Sequence, residues 1–113
     1  MNQPHLRNKS ERVYRVDKFV VPDHAREEFI SKVQTTHELL RTMSGFVQDF
    51  VLEQSVEPGE FNIVTIVEWD SAEVLEPARA AVMAKHKEMN FNPQEMFDRL
   101  GIKADVGNYR QIQ

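Results

Sequence analysis

The chain contains no cysteine. That absence removes a disulfide framework, a thiolate nucleophile and any sulfur-ligated metal site, and it permits a reducing compartment. Long apolar runs are missing as well. The N-terminal stretch MNQPHLRNKSERV has nothing resembling the core of a secretory signal, and no later segment approaches the roughly 20 apolar residues of a membrane span. A cytoplasmic protein without membrane contact is therefore expected. Nor is there a basic face. With 14 Lys and Arg against 18 Asp and Glu, the formal net charge is -4, which argues against nucleic acid or an anionic membrane as the main partner. The only basic cluster, Arg7, Lys9 and Arg12, falls in a polar stretch and reads as solvated charge. The histidines show no HxH or HExxH spacing with carboxylates, so no metal site is expected.

What is present suits one soluble domain. The 113 residues are 41 % hydrophobic and 28 % charged, enough for a single core. Residues 1–12 are polar and read as an arm, leaving residues 13–113 as the domain. Val13 to Val21 reads as a strand whose Arg15, Asp17 and Lys18 break the apolar pattern, marking either a sheet edge or a wet pocket. Asp23 can cap a helix running to about Met43, stopped by Gly45, with Phe29, Ile30, Val33, His37 and Leu40 on one stripe.

Phe46 to Gln54 is a second strand, with Phe46, Gln48, Phe50 and Leu52 assigned to one face and Val47, Asp49, Val51 and Glu53 to the other. A type II turn at Pro58-Gly59 returns the chain as a hairpin through FNIVTIVEW. That third strand is apolar on both faces and must be covered on both. Asp70 and Glu73 have capping-box spacing, and Pro77 predicts a fresh helix starting beside it, carrying Ala78, Ala81, Val82, His86 and Met89. Asn92, Pro93 and Glu95 announce a short helix to Leu100 closed by Gly101, and Ile102 to Ile112 is a last, weaker strand. Strand, helix, strand, strand, helix, short helix, strand is the order of an α+β, ferredoxin-like split βαβ antiparallel sheet with helices on one face. The uncovered face then calls for a second copy of the chain, two sheets packing face to face into a dimeric α+β barrel.

VPDHAREEF at the first helix, GF after it and VEWDSAE at the end of the hairpin resemble the antibiotic biosynthesis monooxygenase (ABM) domain over about Val13 to Ile112. The resemblance implies a homodimeric α+β barrel acting with molecular oxygen and no bound cofactor on a small aromatic or quinol-like substrate. The family also holds haem-degrading enzymes, sugar-phosphate isomerases and members of unknown activity, so the fold does not choose the reaction. In its cofactor-free monooxygenases a tryptophan lines the pocket and an asparagine four residues earlier stabilises an oxyanion. Here Trp69 and Thr65 stand at those positions, and one hydroxyl donor replaces an amide.

The haem-degrading members use a histidine on the second helix, an asparagine on the first strand and a further tryptophan on the second helix. This sequence has His86 in the first place, but Asp17 and Pro77-Ala78 in the other two. His37 and His86 are candidate bases or donors, each also readable as a core-edge histidine bonded to a backbone carbonyl. Tyr14, Arg15, Asp17, Gln48 and Asp49 are strand polar groups that can face the interior, Arg15 also being a partner for a cross-strand ion pair with Asp17 or Asp49. Phe50 joins them as an apolar wall. Phe91, Met96, Phe97 and Leu100 can close the pocket as a lid or plug one end of the core. The open alternatives are a non-catalytic small-molecule-binding or stress-associated barrel and an isomerase that consumes no oxygen.

Overall fold

A computed structural model describes residues 11–56 and 59–112. The element order is β1 (Val13–Val20), α1 (Arg26–Leu40), β2 (Phe46–Glu53), β3 (Ile63–Trp69), α2 (Leu75–Glu88), α3 (Pro93–Leu100) and β4 (Lys103–Tyr109), with single 3-10 turns at Asp23–Ala25 and Ala72–Val74. The four strands form one antiparallel sheet in the order β2-β3-β1-β4. This is the expected α+β, ferredoxin-like arrangement, and its two central strands carry the two hydrophobic clusters. Most of the expected arm, residues 1–10, and part of the hairpin turn, Glu57 and Pro58, lie outside the described residues.

The helices cover one face of the sheet. Phe19 of β1 and Ile63 of β3 pack with Ala25, Phe29, Met96, Leu100 and Ile102 in one cluster. Val67 and Trp69 pack with Leu40 and Ala78 in the other. Phe29 is 1 % exposed and meets Phe19 edge-on at 4.7 Å between centroids, so α1 is anchored at its first turns by aromatic contact. The Asn62 amide extends the β1–β3 pairing. Its Nδ2 donates to the Val21 carbonyl and its Oδ1 accepts from the Val21 N–H, both at 2.8 Å, imitating a backbone unit. Among the described residues no helix covers the opposite sheet face. Phe50 and Leu52 there stay 45 % and 47 % exposed, alongside the partly exposed Val16, Val64 and Ile66.

Several boundaries differ from the expectation. Asp23 starts a 3-10 turn behind Pro22 and caps nothing, and α1 ends at Leu40, three residues before Met43. Helix α2 begins at Leu75, because Pro77 sits in its first turn, where a missing N–H costs no helical bond. Ser71 stands at the cap position ahead of the Ala72–Val74 turn, with no side-chain cap bond. At α3 the expectation holds: Asn92 Oδ1 accepts from the Glu95 N–H at 3.1 Å, Pro93 opens the helix, and Gly101 closes it at φ 74°. Strand β1 is central rather than an edge, so its polar residues require another explanation.

The largest difference is a bulge in β2. Phe46 pairs with Trp69 and Gln48 with Glu68, so two residues of β2 span one step of β3. Phe46 therefore leaves the face shared by Gln48, Phe50 and Leu52 and turns to the helix side, where its ring meets Trp69 edge-on at 6.0 Å.

Candidate active site

Alternation along a strand places Val13, Arg15, Asp17 and Phe19 on the helix side of β1, and Ile63, Thr65, Val67 and Trp69 on the same side of β3. Phe19 and Ile63 fill one end of that layer with core. At the other end the layer opens into a cleft of about 460 Å³ between the sheet and helices α1 and α2. Val67 and Trp69 form its floor, Leu40 and Val82 its walls, and Arg15 and Asp17 the polar end. Ala78, 5 % exposed in the same cluster as Trp69, keeps the α2 wall thin, and a longer side chain there would push the helix off the sheet. Glu76 and Arg79 of α2, 3.6 Å apart, stand with Asn108 of β4 among the polar lining.

Arg15 Nε donates to Asp17 Oδ1 at 2.7 Å. The pair lies along one strand, at i and i+2, in place of the cross-strand pairing considered from the sequence. Burial raises the Asp17 pKa above its ordinary value, and the Arg15 charge and hydrogen bond, together with the charge of His37, only partly counter it. A carboxyl held this way, in a cleft with an aromatic floor, can accept a proton when ionised. Thr65 faces Asp17 across the β1–β3 ladder and is 5 % exposed.

The structure thus brings together Trp69, Asp17, Thr65 and Arg15. His37 lies beside them in a different role. It is 5 % exposed, and its Nδ1 is 2.8 Å from Asp49 Oδ2, an oxygen that also accepts from Arg41 Nε at 3.0 Å. Burial pushes the Asp49 pKa up, but hydrogen bonds from Arg41 and His37 with their charges outweigh it and hold the carboxyl below its usual range. His37 is therefore tied to a carboxylate rather than to a backbone carbonyl.

The other candidates lie elsewhere. Tyr14, Gln48 and Phe50 sit on the open face of the sheet, where Glu68, 3 % exposed, accepts from Gln48 Nε2 at 2.7 Å, Arg12 Nη1 at 2.8 Å and Tyr14 Oη at 3.4 Å. Arg12, expected as solvated charge, is thus docked on the sheet. His86 packs edge-on against Phe91 at 5.0 Å in a narrow crevice between α1 and α2, and Lys32 Nζ lies 4.8 Å from the same ring. Phe97 joins Phe19 and Phe29 in the core, at 6.0 Å and 6.3 Å, so α3 plugs one end of the layer.

No histidine lines the cleft among the described residues. They also hold no group of three or more His, Cys, Asp or Glu suited to a metal ion. His86, the one residue matching a haem ligand in the sequence, points its ring at Phe91. The residues around the cleft do not fit haem. Arg15 and Asp17 were legible as strand polar groups able to face the interior, whereas Thr36, Glu76, Arg79 and Asn108 are polar lining groups that sequence reasoning missed. The polar interruptions of β1 signalled the first pair, and nothing in the pattern of the other elements signalled the rest.

No known protein family and no curated protein matches the chain by sequence. Solved structures do match it in three dimensions. SnoaB, a cofactor-independent oxygenase from Streptomyces nogalater, is 20 % identical with a TM-score of 0.63, over 91 % of this chain and 95 % of its own. The haem-degrader MhuD from Mycobacterium tuberculosis, with two haems bound in its active site, is 19 % identical with a TM-score of 0.65, over 89 % and 96 %. A conserved protein from Methanosarcina mazei is 18 % identical with a TM-score of 0.64, over 92 % and 96 %. Identities of this size speak to architecture and not to reaction. The chain has the fold of the ABM proteins, a four-stranded antiparallel sheet with its helices on one face.

Proposed function

We propose that this protein is a cofactor-independent monooxygenase acting on a small aromatic or quinol-like substrate. The observation that carries the reading is the cleft itself, with Trp69 as floor and a half-buried carboxyl, Asp17, held by Arg15 at its polar end. In such chemistry the substrate supplies the electrons. It loses a proton to become a phenolate or enolate and reduces molecular oxygen, keeping one oxygen atom and releasing the other as water. The protein must supply a base, donors for the oxyanion and a site shielded from solvent. Asp17 takes the proton, Arg15 and the Thr65 hydroxyl stabilise the oxyanion, and Trp69 stacks on the ring. The structural likeness to a cofactor-independent oxygenase supports this assignment.

The working form in this proposal is a cytoplasmic homodimer joined through the open sheet faces, where Phe50, Leu52, Val16, Val64 and Ile66 form an uncovered apolar surface. A sedimentation run returning only monomer at micromolar concentration would remove that part. The oxygenase part is tested by oxygen uptake with anthrone, which becomes anthraquinone and water. Uptake by the protein without added flavin or haem is expected, and Asp17→Asn should lower it at least about a hundredfold, the scale of a lost general base. The Asp17 pKa is raised and its ionised form is the base, so kcat/KM should climb as pH rises through that pKa. A wild-type rate equal to that of Asp17→Asn would sink the assignment. Thr65 in place of an amide favours a second reading, a binding barrel without catalysis, which predicts ligand binding with no oxygen uptake.

A further inference from the structure

The cleft's polar end is only half satisfied. A guanidinium carries five N–H donors, one on Nε and two on each Nη nitrogen. Arg15 spends its Nε on Asp17, and neither Nη has an acceptor among the described residues. The side chain is 42 % exposed along the cleft it lines. Asp17 fixes one edge of the guanidinium, leaving the two-nitrogen end as a preformed fork. That fork matches two oxygens of a planar acid better than any single acceptor.

The register sets the distance to the floor. Arg15 pairs with Val67 and Val13 with Trp69, so Arg15 and Trp69 are diagonal neighbours on one face. Such neighbours lie about 7–8 Å apart at their Cα atoms, a span that one aromatic ring with an acid on it bridges. On the other side Arg15 pairs with Asn108, which puts a neutral amide beside the fork. Among the described residues the acidic lining groups are both engaged, Asp17 by the Arg15 Nε and Glu76 by Arg79, so neither competes for the Nη edge.

We infer that the cleft binds aromatic carboxylates, the acid seated on the Nη edge of Arg15 and the ring lying over Trp69. This rests on the oxygenase reading only for its consequence, that the natural substrate carries an acid group. The binding claim stands apart from turnover. An anion on Arg15 would also weaken that residue's hold on Asp17 and raise the Asp17 pKa further, making its ionised form a stronger base.

The test is isothermal titration calorimetry with 2-naphthoate and its neutral isostere 2-naphthamide, on the wild type, Arg15→Gln and Arg15→Lys. In the wild type, naphthoate should bind at least about tenfold more tightly than naphthamide, the scale of charge-assisted hydrogen bonds. Arg15→Gln should lose that preference, naphthoate falling to about the affinity of naphthamide in the same variant. Arg15→Lys keeps the charge and stem but not the fork, and should retain only part of the preference, which covers the case in which the glutamine variant folds poorly. Equal affinities, no naphthoate binding up to millimolar concentration, or an unchanged preference in both variants would overturn the inference. Naphthoate binding through Arg15 without oxygen uptake on anthrone would remove the oxygenase reading and leave this one standing. Anthrone oxidation in a protein blind to naphthoate would do the reverse.

Discussion

Glu68→Gln should destabilise the fold by about 2–4 kcal/mol, an amount worked from the bonds the carboxylate makes. Glu68 is 3 % exposed, and its two oxygens accept from Gln48 at 2.7 Å and from Arg12 at 2.8 Å. An amide of the same shape keeps one acceptor, which stays on Arg12 when the exposed Gln48 amide turns over to offer its own oxygen, so what is lost is the negative charge facing Arg12. Removing the charged partner of such a hydrogen bond costs about 1.5–3 kcal/mol, and leaving a mostly buried guanidinium without its counter-ion raises that toward about 3–5 kcal/mol. Arg12 already holds a buried Nε without a partner, so it has little slack to find another. Its side chain is 25 % exposed, however, and water recovers part of the loss, which keeps the sum toward the lower end.

The assay is urea unfolding followed by Trp69 fluorescence. The chain has one tryptophan, 2 % exposed when folded. Both proteins are compared at one concentration, because any self-association shifts the midpoint. The pH dependence gives a second handle. Burial alone raises the Glu68 pKa, but bonds from Gln48, Arg12 and Tyr14 and the Arg12 charge outweigh it and hold it below its ordinary 4.5. With the folded pKa below the unfolded one, this contribution is complete above pH 4.5 and is lost as pH falls through the folded value. The wild type should therefore lose more stability on acidification than Glu68→Gln does. Replacing the pair together, as Arg12→Leu with Glu68→Leu, should cost less than Glu68→Gln alone, since no charge is left unpaired on a face already rich in Val16 and Ile66, and Gln48 and Tyr14, which lose their acceptor, reach water. A Glu68→Gln midpoint indistinguishable from wild type, with parallel acid profiles, would show that the cluster is not held as described.

Two further substitutions probe the scaffold around the cleft. Gly45 has φ 89°, and a Cβ there would lie 2.6 Å from Val74 Cγ1. Gly45→Ala should therefore combine left-handed strain of about 1–2 kcal/mol with overpacking of about 1–3 kcal/mol, read as a fall in Tm by calorimetry. Asn92→Ala removes the acceptor for the Glu95 N–H and should cost about 1 kcal/mol in urea unfolding, while Asn92→Gly should cost only a few tenths.

Legibility differed by element. Helix α3 could be read almost to the residue because its cap, first-turn proline and closing glycine are local devices, each acting within four residues of its neighbour. The end of α1 and the start of α2 were read less well, since the tolerance of a first-turn Pro77 and the fraying after Leu40 depend on what surrounds them.

The amino-acid order by itself determined the element sequence, the antiparallel α+β class, the two-sided greasiness of β3, and the presence of Trp69 and Asp17 on strands that could share a layer. Tertiary structure decided which polar residues meet. A strand's side chains alternate with period two, so a single extra residue at the β2 bulge carried Phe46 to the helix side and left Gln48, Phe50 and Tyr14 on the face away from the cleft. Likewise, only the crossing of α1 over β2 could bring His37 to Asp49, and only the central place of β1 turned Arg15 and Asp17 from interruptions of a pattern into the polar end of a site. Periodicity along the chain says which groups share a side of an element. Pairing between elements, set by register, says which side faces the cavity.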